Sequence, residues 1–335
     1  MDPWHYLEIT PTKGIKPCCK IPAIVNWVPD GPSFDQLRSA REFELLRAQL
    51  LTGEMGAACR DCHIRPLVPL HTLRSAVQGA ARTVGAADWL QPLPLQRLRI
   101  EITTRCNLRC VYCAVSQSDY RARDMPSLSF DEIIELVGRQ PPETDIFVNG
   151  HGETTFHPDW LYLCRAIVDR GFRPCITSNL AKPLNADETA CLSEFREVQV
   201  SIDTVAAEQL RNIRRRVKLS TIIDNIRAIR SAADTRNHPS PVFTVSCGVY
   251  DLNYRLLGDL AQFCISMGIT GVTFWQLVKY DDLPGVRNVY PITSLGKESI
   301  DDAIRHVESA ITMLEQAGLV AVVAGGFLDE WRKLI

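Results

Sequence analysis

Between residues 96 and 335, six short apolar, β-favouring runs alternate with stretches of helical periodicity. The runs are Leu98–Thr103, Thr144–Val148, Arg173–Thr177, Glu197–Ile202, Val242–Val249 and Gly271–Gln276. The helical patterns are Phe130–Arg139, Pro158–Arg170, Asp187–Phe195, Leu219–Ala232, Tyr254–Met267 and Lys297–Gln316. Alternation of this kind predicts an α/β fold with a parallel sheet, because parallel neighbours need a long return path that a helix supplies. Leu319–Ala324 reads as one more short strand, followed by Gly325-Gly326 and a closing helix over Leu328–Leu334. Folds of this class carry their reactive groups at the carboxyl ends of the strands, so those ends are where chemistry is sought.

The first run leads into Cys106-Asn107-Leu108-Arg109-Cys110-Val111-Tyr112-Cys113, with three thiols separated by three residues and then two. Such a loop can wrap one corner of a [4Fe–4S] cube. With four irons and three thiolates, one iron stays open to a reactant. A zinc knuckle would want a fourth Cys or His close by, and none follows before His151. After the second run comes Asn149-Gly150-His151-Gly152-Glu153, where glycines permit close backbone approach and a carboxylate can hold an ammonium group. His151 reads as a spacer ahead of an acid or base. Thr177-Ser178-Asn179 and Ser201-Ile202-Asp203 end the third and fourth runs. Both suit recognition of ribose hydroxyls, and both equally suit turns and helix caps. In the fifth run alternation sets Phe243, Val245 and Cys247 on one face and Thr244, Ser246 and Gly248 on the other. Cys247 is either a hydrogen-atom donor at the mouth of the site or a small core residue. Cys164, Cys175, Cys191 and Cys264 have apolar neighbours and read as core. Tyr280, Asp281, Asp282 and Tyr290 lie in a polar stretch available to a polar substrate.

Residues 1–95 hold a second cysteine group. Trp4–Thr10 and Ile15–Ile21 read as a hairpin across Pro11–Gly14, with Cys18 and Cys19 on the return strand. Ser33 and Gln36 form a capping box for a helix that buries Phe34, Leu37, Phe43, Leu46 and Leu50. Cys59-Arg60-Asp61-Cys62 follows, with a spacing suited to chelation. Structural zinc and a second iron–sulfur cluster are both open to thiols of this kind. Residues 66–95 read as a connector with one helix over Leu70–Val84.

The three-then-two cysteine loop after a first strand, with Tyr112 before its last cysteine, resembles the radical S-adenosylmethionine (SAM) superfamily. That resemblance implies a partial (β/α)6 barrel over residues 96–335, a [4Fe–4S] cluster on Cys106, Cys110 and Cys113, and SAM on the fourth iron. It implies that Tyr112, Gly150, Gly152, Glu153, Ser201, Asp203 and Arg214 serve SAM binding, with Glu153 on its amino group. Thr154 stands where the family usually has proline. Residues 1–65 resemble the SPASM/twitch module, which implies an auxiliary [4Fe–4S] cluster drawing on Cys18, Cys19, Cys59 and Cys62. Here the module precedes the barrel instead of following it, and no cysteine precedes Pro3-Trp4.

Use of a thiol donor is similar to the radical SAM epimerases of aminoglycosides, neomycin epimerase among them. It implies epimerisation of a sugar-like natural product with Cys247 returning the hydrogen atom. The alternatives are dehydrogenation of an alcohol through the auxiliary cluster and modification of a ribosomal peptide. The expected partners are a polar small molecule and a one-electron donor such as flavodoxin or ferredoxin. A net charge of −2 over 335 residues offers nothing to nucleic acid, and no apolar run reaches membrane-spanning length. Twelve cysteines without a signal segment suit metal or redox chemistry in the cytoplasm.

Overall fold

The structure, a computed structural model, describes residues 2–12, 14–19, 21–28, 31–60, 68–85, 88–116, 130–277 and 289–335. The expected strands form, with small shifts at their ends: β4 (Arg97–Ile100), β5 (Asp145–Val148), β6 (Cys175–Ser178), β7 (Glu197–Ser201), β8 (Val242–Val249) and β9 (Gly271–Gln276). Before them come β1 (Tyr6–Ile9), β2 (Gly14–Lys16) and β3 (Val25–Asn26), and after them β10 (Val320–Val323). All belong to one sheet in the order β10-β9-β8-β7-β6-β5-β4-β1-β2-β3. From β4 to β10 every neighbour is parallel. The α/β fold with a parallel sheet is therefore as the alternation predicts.

Each strand presents two unlike faces. Leu98, Ile100, Ile146, Val148, Val198, Val200, Phe243 and Val245 are buried in the main core with the crossover helices. Opposite them stand half-exposed Arg97, Arg99, Phe147, Thr177, Gln199, Ser201, Thr244, Ser246 and Trp275, in matching register from strand to strand. The apolar face drives burial, while the opposite, inner face is half-exposed and mixes polar with aromatic side chains.

The N-terminal hairpin joins the barrel sheet directly. Strand β1 runs parallel to β4, with Tyr6 beside Arg97 and Glu8 beside Arg99, and β2 returns antiparallel with Glu8 opposite Lys16. The return strand stops at Lys16, short of the expected Ile21, because Pro17 has no N–H for the ladder. Two buried arginines clamp this segment. Arg47 donates to the carbonyls of Pro3, Leu90 and Arg38 at 2.8–2.9 Å, and Arg38 donates to those of Trp4 and Leu93. Burial pulls each guanidinium down to about 10. The Ser33–Gln36 capping box forms, and the following helices run Phe34–Arg38 and Arg41–Thr52.

Candidate active site

Strand β4 ends at Ile100, and the chain passes into an irregular loop carrying Cys106, Cys110 and Cys113. The expected extension to Thr103 does not form: the Glu101 N–H still donates to the Ile9 carbonyl at 2.9 Å, and beyond it the chain turns away. The Glu101 carboxylate accepts the His151 N–H at 2.6 Å, and the Thr103 hydroxyl accepts the Arg105 N–H at 2.9 Å. Cys110 is buried and the other two thiols are half-buried. The Leu108 N–H points at Cys106 Sγ at 3.4 Å, and Asn179 Nδ2 lies 3.7 Å from the same sulfur. Burial raises all three thiols, Cys106 to about 12 with the neighbouring Glu153 charge pushing the same way. Thiols bind metal as thiolates, so loading this loop releases protons.

The Gly150–Glu153 loop, after β5, closes onto this cysteine loop. A Cβ on Gly152 would stand 2.2 Å from the Thr103 carbonyl oxygen, and one on Gly150 would meet the Glu101 side chain. Both glycines are thus required by protein packing before any ligand arrives. Glu153 is buried and its N–H donates to the Arg105 carbonyl at 2.8 Å. Its carboxylate accepts from the Thr155 and Ser178 hydroxyls and from the N–H groups of Thr155 and Asn179. The carboxylate therefore fastens the end of β6 to the loop after β5. Asn149 Oδ1 is buried with no partner, while its Nδ2 donates to the Thr177 hydroxyl. His151 is exposed.

From β7 comes Asp203, wholly buried, with Arg214 Nε at 2.7 Å and NH2 at 3.1 Å on its two oxygens. The Tyr112 hydroxyl donates to the same carboxylate at 2.9 Å, as does the Gly248 N–H at 3.1 Å. Tyr112, inside the cysteine loop, packs against Tyr250 and edge-on to Trp275. Tyr112, Asp203 and Arg214 are thus brought together, joined to one another. Ser201 ends β7 on the inner face beside Ser246. Neither Asn107, which accepts from Asn179 Nδ2, nor Asn253, which donates to the Asp203 carbonyl, stood out in the sequence. The only available signal was an amide in a turn.

Cys247 stands elsewhere. It is 0% exposed on the face of β8 shared with Phe243 and Val245, in the same core as Cys264 of the helix Leu257–Ser266, and burial raises its thiol, with the Asp203 charge pushing the same way. Its sulfur contacts the carbonyls of Asp203 and Gly248. The thiol is thus placed in the layer between sheet and helices, with Ser246 on the inner side. Cys18 and Cys19 occupy bends after β2, and Cys59 sits in the short helix Ala57–Arg60. Cys62, Tyr280, Asp281 and Asp282 lie outside the described residues, and Tyr290 is exposed.

The cysteine loop fits an iron–sulfur cube better than a lone ion. Among the described residues no three His, Cys, Asp or Glu side chains converge as ligands of one metal, as a preformed zinc site would require. Yet the three thiols of this loop influence one another electrostatically, and N–H groups point at Cys106. A cube distributes its thiolates over separate irons.

A parallel α/β sheet whose first barrel strand feeds three thiols at its carboxyl end defines an iron–sulfur enzyme of the partial-barrel class. The radical SAM superfamily model matches residues 100–264, and the chain belongs to that superfamily. Membership implies a [4Fe–4S] cluster and SAM.

The chain is 27% identical over 190 residues to the tungsten-containing aldehyde ferredoxin oxidoreductase cofactor-modifying protein of Pyrococcus furiosus, spanning 55% of this chain and 52% of that protein. It is 30% identical over 178 residues to the GTP 3′,8-cyclase of Pseudomonas fluorescens, half of each chain. The chain thus spans about half the length of these curated relatives. Among solved structures, Streptococcus suis SuiB bound to precursor peptide SuiA superposes with a TM-score of 0.56 at 15% identity, covering 87% of this chain and 64% of that one. That likeness concerns the fold. No helix among the described residues is long and apolar enough to cross a membrane.

Proposed function

We propose that this chain is a radical SAM enzyme acting on a polar, sugar-like small molecule held against the inner face of the sheet. The single observation carrying this reading is the junction of three loops at the strand ends. The thiols after β4, Gly150–Glu153 after β5 and Asn179 after β6 are cross-linked by hydrogen bonds around Cys106. Cys106, Cys110 and Cys113 would hold the [4Fe–4S] cluster, which would supply the electron for reductive cleavage of SAM.

The chain's own residues do the positioning. Gly152 lets the loop after β5 seat on the cysteine loop, Glu153 locks that loop to β6, and Asn149 Oδ1 is an acceptor left for a bound ammonium or hydroxyl. A polar substrate is supported by the inner face below. Glu8 accepts from Lys16 Nζ and the Tyr6 hydroxyl, each at 2.6 Å, beside Arg99, and Thr177 donates to Gln199 at 3.1 Å. Several relatives are GTP 3′,8-cyclases, which also favours a small polar substrate over a peptide.

Epimerisation with Cys247 as hydrogen-atom donor is the finer reading, and the burial of that thiol weighs against it. Dehydrogenation through an auxiliary cluster on Cys18, Cys19, Cys59 and Cys62 needs no thiol at the substrate, and a flavodoxin- or ferredoxin-type donor suits either outcome. The test is anaerobic reconstitution, reduction and incubation with SAM in deuterated water. Formation of 5′-deoxyadenosine supports the radical reading, and its absence from an iron-loaded protein sinks it. Solvent deuterium in an inverted product that disappears in Cys247→Ala would restore the thiol donor.

A further inference from the structure

Exposed arginines on several helices are answered by carboxylates: Arg139 by Glu135, Arg236 by Glu194 and Arg332 by Glu308. A stretch beside the cysteine loop breaks that habit. Arg211, Arg215, Arg216 and Lys218 are all exposed, and among the described residues no carboxylate lies within ion-pair distance of any of them. Glu208 is the only acid between 207 and 218, in a chain whose net charge is −2. The patch is therefore a local concentration of charge that overall composition does not explain. The carboxyl end of the helix Ala207–Arg214 favours a cation at Arg211, but Arg215, Arg216 and Lys218 lie beyond it. Backbone pins the patch to the thiol loop. The Val111 N–H donates to the Ile213 carbonyl at 2.9 Å, and Val111 follows Cys110 directly. Ile213, Arg214 and Val217 turn inward and are buried, which leaves the four cations facing out from a fixed stretch of chain. Arg216 holds a φ of 73°, the left-handed region that favours glycine, so its charge is presented at a steric cost.

We propose that Arg211, Arg215, Arg216 and Lys218 form the docking surface for an acidic one-electron carrier protein of the flavodoxin or ferredoxin kind. The inference rests on the radical SAM reading above. Complementary charge steers such an encounter and fixes its orientation. The hydrogen bond between Val111 and Ile213 then gives the arriving electron a short path to Cys110. One electron passes from the carrier, which is oxidised, to the metal centre the three thiols would hold, which is reduced; no bond is made or broken. Single-stranded nucleic acid would want aromatic side chains for stacking along a longer basic track, and residues 207–218 include no aromatic.

The experiment has two readouts on the reconstituted full-length protein. Binding of an oxidised flavodoxin and of an oxidised ferredoxin is measured by calorimetry at low and high ionic strength. Formation of 5′-deoxyadenosine is measured with each reduced carrier and, separately, with dithionite, a small reductant that needs no docking surface. At least one carrier is expected to bind, and to bind more weakly as salt rises. The double variant Arg215→Glu, Arg216→Glu is expected to lose about tenfold in carrier binding and in carrier-driven cleavage, with the dithionite-driven rate unchanged. The pair Arg215→Lys, Arg216→Lys keeps the charge and should behave as wild type. Arg82→Glu, at an exposed arginine of the helix Leu70–Thr83, should change neither readout. Failure of both carriers to bind, binding indifferent to salt, or binding undiminished in the glutamate variant overturns the proposal. So does a loss of cleavage that appears equally with dithionite, because that reports damage to the cysteine loop. A short single-stranded RNA that binds the patch while both carriers stay inert assigns it to nucleic acid and likewise overturns the proposal. No cleavage with dithionite in iron-loaded wild type sinks the radical SAM reading and this inference with it. Normal cleavage with dithionite beside indifference to both carriers sinks the docking surface alone.

Discussion

The chain carries two groups of thiols, and the fold treats them differently. Cys106, Cys110 and Cys113 stand at the carboxyl end of a central strand, braced by Glu153, Asn179 and the Tyr112–Asp203–Arg214 network. Cys18, Cys19 and Cys59 stand on bends and a single helical turn beside a three-stranded edge. Bracing of the first kind lets ligands be held before metal arrives, so that loading orders little further backbone. Thiols on short turns depend on the metal itself to fix their geometry, as small metal modules do. The two groups should therefore respond differently to the same perturbation.

The largest expected difference comes from the thiols themselves. Cys106→Ala, Cys110→Ala and Cys113→Ala should each abolish 5′-deoxyadenosine formation, read by chromatography of the quenched reaction. Cys59→Ala should lower the iron content yet leave SAM cleavage measurable. If Cys59→Ala silences cleavage as completely as Cys110→Ala does, the two groups are not functionally separate. Next in size is Asp203→Ala, which strands a buried guanidinium and should cost about 3–5 kcal/mol of unfolding free energy in urea. Gly152→Ala forces a methyl group against the Thr103 carbonyl and should cost about 1–3 kcal/mol, with weaker SAM binding by calorimetry. Cys247→Ala should be the mildest, leaving SAM cleavage intact and lowering stability by about 1 kcal/mol through loss of a small buried group.

Much of this was legible from sequence, for identifiable reasons. Parallel strands buried among helices read as apolar runs, so β4 to β10 could be placed within a few residues. The cysteine loop is a local signal, complete within eight residues. What could not be read is which way a face points. Period two separates Cys247 from Ser246, but only the packing of the helix Leu257–Ser266 decides which lies toward the substrate. Nor could sequence reveal how Glu153 and Asp203 are engaged. Their partners, Ser178, Asn179, Tyr112 and Arg214, come from other strand ends and loops. A carboxylate that looks available in a motif is already hydrogen-bonded at both oxygens once neighbouring strand ends converge, as Glu153 is.

The neighbour relation between β1 and β4 has a consequence for how the molecule is made. Tyr6 is laid beside Arg97, so during synthesis β1 must wait until the whole helical connector and β4 have followed it. Through that interval the ladder groups on the side of β1 facing β4 stay unpaired, with Cys18 and Cys19 a few residues away, a state open to mispairing and to oxidation. Maturation in low oxygen would then protect the nascent chain as well as the finished metal centre.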